Sequence, residues 1–113
     1  IRWNRIENSI NSGFPDLLGS GLNSHFFTVE LKITYDNKTV RFSPHQIAFH
    51  KINSGLKYIL ISPPCQSSVK LFQDTIITGQ RTKFVDHKPL AVVDDTKDNE
   101  QWKVFQNKML ENA

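Results

Sequence analysis

The clearest pattern in the chain is a strict alternation of apolar and polar residues. Phe27, Val29, Leu31, Ile33 and Tyr35 occupy every second position, and polar residues lie between them. Successive side chains of a β-strand point to opposite faces, so this segment predicts a strand with one buried face. We expect Phe27, Val29, Leu31 and Ile33 to belong to the core.

The alternation continues after Asp36-Asn37-Lys38-Thr39, which predicts a tight turn because Asn tolerates the left-handed backbone conformation. With this turn, Tyr35 faces Val40 and Ile33 faces Phe42. Apolar side chains then meet on one face of the pair. The pattern therefore predicts a β-hairpin.

The remaining apolar runs are shorter and are bounded by turn residues such as Gly, Pro and Asn. They predict further short strands at residues 46–52, 57–62, 68–72, 75–78, 83–85 and 90–93, and the segments 68–72 and 75–78 could instead form one long, bent strand.

The C-terminal segment has a helical period. Trp102, Phe105 and Met109 fall on one stripe, and an acidic start at Asp94-Asp95-Thr96 suits a helix N-terminus. We predict an amphipathic helix over residues 96–111, with Trp102, Phe105 and Met109 in the core.

The N-terminal segment differs from the rest of the chain. Trp3, Ile6 and Ile10 lie at helical spacing, and Gly19-Ser20-Gly21 is typical of a flexible joint. We predict an N-terminal extension with a short helix over residues 1–22, followed by the main domain over residues 23–113.

These elements predict an α+β, mainly β fold, in which an antiparallel, bent sheet or barrel of six to seven strands is capped by a C-terminal α-helix. That order resembles the pleckstrin-homology (PH) superfold. The tail over residues 89–105 looks like the end of a PH domain, and Trp102 resembles the Trp that plugs the barrel there. The resemblance implies a non-enzymatic module that binds inositol phospholipids or proteins. Polo-box, Ran-binding and EVH1-type modules share similar orders and stay open as alternatives.

The charge balance is mildly basic, with a net charge of +3, and this favours an anionic partner. Lipid-binding PH domains carry basic residues on their first hairpin, and the comparable segment here has three, followed by a second basic group further on. The candidate ligand-binding residues are Lys32, Lys38, Arg41, Arg81 and Lys83. A nucleic-acid ligand would also require exposed aromatic side chains among the cations. Phe84 lies among them in sequence, but we expect it in the core.

No P-loop, GxGxxG, GxSxG or HExxH motif is present, and the single Cys65 excludes a cysteine zinc cluster. The sequence therefore predicts no enzyme, no metal site and no cofactor. It predicts an interaction module of a larger intracellular signalling or scaffold protein, in the cytoplasm, at a membrane surface or in the nucleus. A protein partner is favoured, then an acidic phospholipid surface, besides contacts with other domains of the same parent chain. The alternatives are a homotypic assembly or structural domain and, least favoured, a nucleic-acid or chromatin-binding domain.

Overall fold

The computed structural model describes residues 2–5, 15–20, 26–53, 55–65 and 67–111. These residues form eight strands and two α-helices, with short 3₁₀ turns at Asp74–Ile76 and Phe84–Asp86. In chain order the elements are β1 (Arg2–Arg5), β2 (Leu17–Ser20), β3 (Phe26–Ile33), β4 (Thr39–Arg41), α1 (Pro44–Ile52), β5 (Leu56–Ser62), β6 (Val69–Gln73), β7 (Arg81–Lys83), β8 (Ala91–Val93) and α2 (Asn99–Glu111).

Six strands form the main sheet in the order β1-β2-β3-β5-β6-β8, and β4 pairs with β7 in a separate two-stranded sheet. The prediction of a mixed, mainly β fold with a six-stranded sheet and a C-terminal helix is confirmed. The described strands do not close into a barrel. The prediction of an antiparallel sheet is wrong for one pair, because β3 and β5 run parallel. A parallel pair needs a crossover connection, and α1 lies within that connection.

Helix α1 occupies residues that the apolar pattern predicts as a third strand. The Ser43 hydroxyl accepts a hydrogen bond from the Gln46 backbone N–H, and the Gln46 side chain accepts one from the Ser43 backbone N–H. Pro44 stands at the start of the helix, where its missing N–H costs nothing. This reciprocal cap stabilises the helix, and the strand prediction is therefore wrong.

The predicted hairpin is also wrong, because β4 pairs with β7 and not with β3. The intervening loop is held by the Asp36 carboxylate, whose Oδ1 accepts hydrogen bonds from the backbone N–H groups of Lys38 and Thr39 at 2.9 and 2.8 Å. Asn37 adopts a φ of 58°. The loop carries the chain away from β3, so Tyr35 is exposed rather than packed against Val40.

The N-terminal segment contributes two strands to the main sheet, since β1 pairs with β2 and β2 pairs with β3. Trp3 therefore lies in a strand, as do the next two residues, whereas residues 6–14, with Ile6 and Ile10, fall outside the described part of the chain. Gly19 is buried opposite Phe27, and a Cβ there would lie 2.5 Å from the Phe27 ring. Gly19, which was predicted to lie in a flexible joint, thus lies in a strand at a position where a larger residue would clash with Phe27. The predicted boundary after residue 22 runs through the sheet.

A hydrophobic cluster covers each face of the main sheet. On one face, α2 packs against the sheet, and the buried residues are Phe27, Val29, Tyr58, Val69, Leu71, Val93, Phe105 and Met109, with Trp102 partly buried beside them. On the other face, the β4–β7 pair packs against the sheet, and the buried residues are Val40, Phe42, Ile59, Ile61, Phe72, Ile76 and Phe84.

Leu31 and Ile33 do not belong to the core as predicted, because 49% and 46% of their surfaces are exposed. Both residues lie beyond the last β2–β3 pair, which joins Leu17 to Val29. The end of β3 is therefore an open edge of the sheet.

Helix α2 begins three residues later than predicted, at Asn99. The Trp102 indole N–H donates to the Thr96 carbonyl at 2.9 Å, which ties the preceding turn to the helix. No helix in the described part of the chain has the length and apolarity that a membrane span requires.

We predict that Phe105→Ala lowers the free energy of unfolding by about 3–5 kcal/mol, because it removes a buried aromatic ring. Val104→Ala is the matched control, since 62% of the Val104 surface is exposed, and it should change stability by less than about 0.5 kcal/mol. Urea unfolding of both variants tests the packing of α2. Equal losses in the two variants would contradict it.

Candidate functional site

Two carboxylates and a lysine meet at the open end of β3. Glu30 and Lys32 lie two residues apart on one strand, so both side chains point to the α1 face of the sheet. Leu17 of β2 pairs with Val29, which places Asp16 at the end of the β2–β3 ladder, next to Glu30. Asp16 Oδ2 accepts a hydrogen bond from the Leu31 backbone N–H at 2.8 Å. These contacts bring Asp16, Glu30 and Lys32 into one cluster, which we call the acid–lysine site.

Gln46 of α1 connects the two β3 side chains of this site. Its Nε2 donates to Glu30 Oε1 at 2.7 Å, and its Oε1 accepts from Lys32 Nζ at 2.8 Å. The same Oε1 accepts from the Ser43 backbone N–H at 3.0 Å. The helix cap and the site therefore share one amide group, whose orientation is set from both sides.

Glu30 is the most unusual group of the acid–lysine site. Only 3% of its surface is exposed, and its Oε2 atom has no hydrogen-bond partner among the described residues. Burial raises the pKa of Glu30 to about 7; the charge of Asp16 also raises this pKa, and the charge of Lys32 lowers it. An ionised carboxylate that is buried beside a second carboxylate is unfavourable unless a cation compensates it.

Lys32 is held on the other side of Gln46. Its ammonium group lies 4.9 Å from the centroid of the Phe42 ring. Burial lowers the pKa of Lys32, while Glu30 and Asp16 oppose that effect. The result is a compact positive charge in a fixed position beside two carboxylates.

The site is accessible from two concave surfaces. Asp16 and Lys32 line a cleft of about 640 Å³, together with the exposed Leu31 and Ile33 and with Trp102. Lys32 also lines a second groove of about 470 Å³ that runs towards β4 and β7. Asp16 and Lys32 can therefore be reached from the surface, whereas the buried Glu30 lines neither concavity.

The site suits a hard divalent cation such as Mg²⁺. Within the described ranges, no three His, Cys, Asp or Glu side chains are grouped so that they could enclose a metal ion. Mg²⁺ does not need such a cage, because it is commonly held by one or two carboxylates, by water and by substrate phosphates. Asp16 and the free Oε2 of Glu30 offer that arrangement.

A second titratable cluster lies at the opposite end of α1. His50 Nδ1 is 3.0 Å from Asp74 Oδ2, and Lys57 Nζ is 3.6 Å from the same oxygen. Lys57 also donates to the Asn53 carbonyl. These contacts fix the C-terminal end of α1 to β5 and to the turn after β6.

The five residues predicted to bind a ligand fall into three places. Lys32 belongs to the acid–lysine site, and it shares the second groove with Arg41 and Arg81. Lys83 lies on β7, two residues after Arg81, and Lys38 lies in the loop before β4. The structure thus joins two basic groups that are far apart in sequence, but Lys38 does not line the groove.

Asp16, Glu30 and Gln46 are not among the residues that the sequence pattern predicts to bind a ligand. Two signals for them were present: Glu30 and Lys32 share one strand face, and Ser43 with Gln46 forms the spacing of a capping box. Asp16 carries no such signal, because only the β2–β3 pairing brings it to Glu30.

Comparison of the chain with known protein families, with curated proteins and with solved structures found no match.

We predict that Gln46→Ala lowers the free energy of unfolding by about 1–3 kcal/mol, because it leaves Glu30 Oε1 and the Lys32 ammonium group without this partner. His45→Ala, at an exposed position of the same helix, is the control and should stay within about 0.5 kcal/mol of the wild type. Chemical denaturation measures both. If the two variants are equally stable, Gln46 does not hold the site together.

Proposed function

We propose that this protein is a divalent-cation-dependent phosphodiesterase whose active site is the acid–lysine site. The observation that carries the proposal is the free, buried Oε2 of Glu30, which lies beside Asp16 and Lys32. Two carboxylates next to one ammonium group suit a cation together with the phosphate that it binds.

Each side chain has a role in this reaction. Asp16 and Glu30 would hold the cation, whose chemistry would be to polarise a phosphoryl oxygen and to make a water molecule more nucleophilic. Lys32 stabilises the negative charge that develops on the phosphoryl group. Gln46 positions Glu30 and Lys32 relative to each other, because its amide contacts both at 2.7 and 2.8 Å.

The reaction consumes one water molecule. The water oxygen forms the new bond to phosphorus while the bond between phosphorus and the leaving oxygen breaks. One hydrogen of the water ends on the leaving alcohol, and the other stays with the phosphomonoester or is released to solvent.

The sequence-based function stays a prediction beside this one. A PH-like, intracellular interaction module that binds a protein or an acidic phospholipid surface is favoured by the exposed basic side chains of β4 and β7. The resemblance depends on an order of strands followed by one helix. The internal helix α1 and the parallel β3–β5 pair differ from that order, so we rank this function second.

We predict that the purified protein hydrolyses a phosphodiester in the presence of Mg²⁺ or Mn²⁺ and not in EDTA. The probes are bis(4-nitrophenyl) phosphate, a single-stranded oligonucleotide and a duplex oligonucleotide. Asp16→Asn should lower the rate by at least about 100-fold, because a metal ion contributes several kcal/mol to transition-state stabilisation.

Asp94→Asn is the matched control, since Asp94 is an exposed carboxylate outside the site, and its rate should equal that of the wild type. The proposal fails if none of the three probes is hydrolysed. It also fails if Asp16→Asn is as active as Asp94→Asn.

A further inference from the structure

The β4–β7 pair carries a row of cations on its solvent face. Arg41 pairs with Arg81, and Lys83 pairs with Thr39. Val40 and Thr82 are buried between them, so the alternation of the strands directs Arg41, Arg81 and Lys83 outwards. We call this surface the basic ribbon.

The pairing of Arg41 with Arg81 destabilises the folded protein when no ligand is bound. Like charges at directly paired positions of two strands repel each other. A bound anion between or above them would remove that repulsion, and the fork of an Arg guanidinium matches a phosphate group. The ribbon is therefore suited to phosphates.

The basic ribbon and the acid–lysine site share one groove. Lys32, Arg41 and Arg81 line it together, over a volume of about 470 Å³. A phosphate chain bound along the ribbon would thus also meet Lys32.

An exposed aromatic ring stands at the same groove. Tyr35 lines it and has 82% of its surface exposed. Its loop has a defined shape, because Thr34 Oγ1 donates to the Thr39 carbonyl at 2.9 Å and Asp36 binds the backbone N–H groups of Lys38 and Thr39. Aromatic rings next to cations are the platforms on which unpaired bases stack. Phe84, by contrast, is buried and is not such a platform.

Asp36 is the one carboxylate in the lining of this groove. Its Oδ2 lies 4.0 Å from Arg81 Nη2, in an exposed pair that is weak in water. The same carboxylate also accepts hydrogen bonds from the loop, and these hydrogen bonds lower the pKa of Asp36. A phosphate can therefore displace it from Arg81 without unfolding the loop.

We propose that the basic ribbon and Tyr35 bind a single-stranded nucleic acid, with phosphates on Arg41, Arg81 and Lys83 and a base stacked on Tyr35. The role of this surface in presenting a phosphodiester to Asp16 and Glu30 rests on the proposed function, but the binding itself does not. Binding of the nucleic acid to the ribbon requires no divalent cation.

The test is fluorescence anisotropy with a labelled oligothymidylate of about 12 nucleotides in EDTA, where no hydrolysis occurs. Arg41→Gln/Arg81→Gln should weaken binding and reduce the slope of log affinity against log salt by about 1.4, which corresponds to two phosphate contacts on a single strand. The control is Lys97→Gln/Lys103→Gln, which removes the same charge from exposed positions in or just before α2, on the opposite face of the sheet. Its affinity and slope should equal those of the wild type.

Stacking is tested separately at Tyr35. Tyr35→Ala should weaken binding by roughly 5- to 100-fold, because stacking of one base contributes about 1–3 kcal/mol. Tyr35→Phe should bind like the wild type, since it keeps the ring. The position is exposed, so neither change should affect folding, and a circular dichroism melt checks this.

Equal affinities of the ribbon variant and its control would overturn the proposal. Tighter binding of a duplex than of the single strand would overturn it in favour of a double-stranded ligand. Binding to phosphoinositide vesicles that depends on Arg41 and Arg81, without oligonucleotide binding, would overturn it in favour of a membrane. If the wild type binds no oligonucleotide but hydrolyses bis(4-nitrophenyl) phosphate, the nucleic-acid proposal is overturned and the phosphodiesterase stands.

Discussion

The amide of Gln46 is the contact on which both the fold around α1 and the acid–lysine site depend. It completes the cap of α1 at Ser43, and it also bonds Glu30 at 2.7 Å and Lys32 at 2.8 Å. The N-terminus of α1 therefore lies next to Glu30 and Lys32, the two charged side chains of β3 that Gln46 contacts. Because β3 and β5 run parallel, the chain must cross the sheet between them, and α1 lies in that crossover with its N-terminus at the site.

The two faces of the sheet differ in the residues that they bury. The face under α2 is a hydrophobic core that is built around Phe27, Tyr58 and Phe105. The face under α1 and the basic ribbon combines a second core with the buried polar residues Glu30, Thr82 and Lys57. Buried ionisable groups are unfavourable and are commonly found where a protein binds or transforms a ligand. The acid–lysine site thus lies on the face that α1 covers, beside the second core.

Much of the architecture follows from local sequence, whereas the site follows from tertiary pairing. The alternation around Phe27 and Val29 predicts β3, and the stripe of Phe105 and Met109 predicts α2. The hairpin prediction failed because β4 finds its partner in β7, some forty residues later in the chain. Asp16 and Glu30 are likewise joined only by the β2–β3 ladder, and no local pattern marks Asp16. Charge alone marks Lys32 and Arg41 as candidate ligand-binding residues, but it does not predict that Lys32 contacts Gln46 in the acid–lysine site while Arg41 lies on the basic ribbon.

The central claim is that Asp16 and Glu30 together bind one divalent cation, and isothermal titration of the metal-free protein with Mn²⁺ tests it most directly. We expect one saturable site per chain in the wild type, and its loss in both Asp16→Asn and Glu30→Gln. Since Asp16→Asn and Glu30→Gln both preserve the shape of the side chain, circular dichroism should show that both variants stay folded. Saturable binding of the same affinity in the wild type and in both variants would contradict the account.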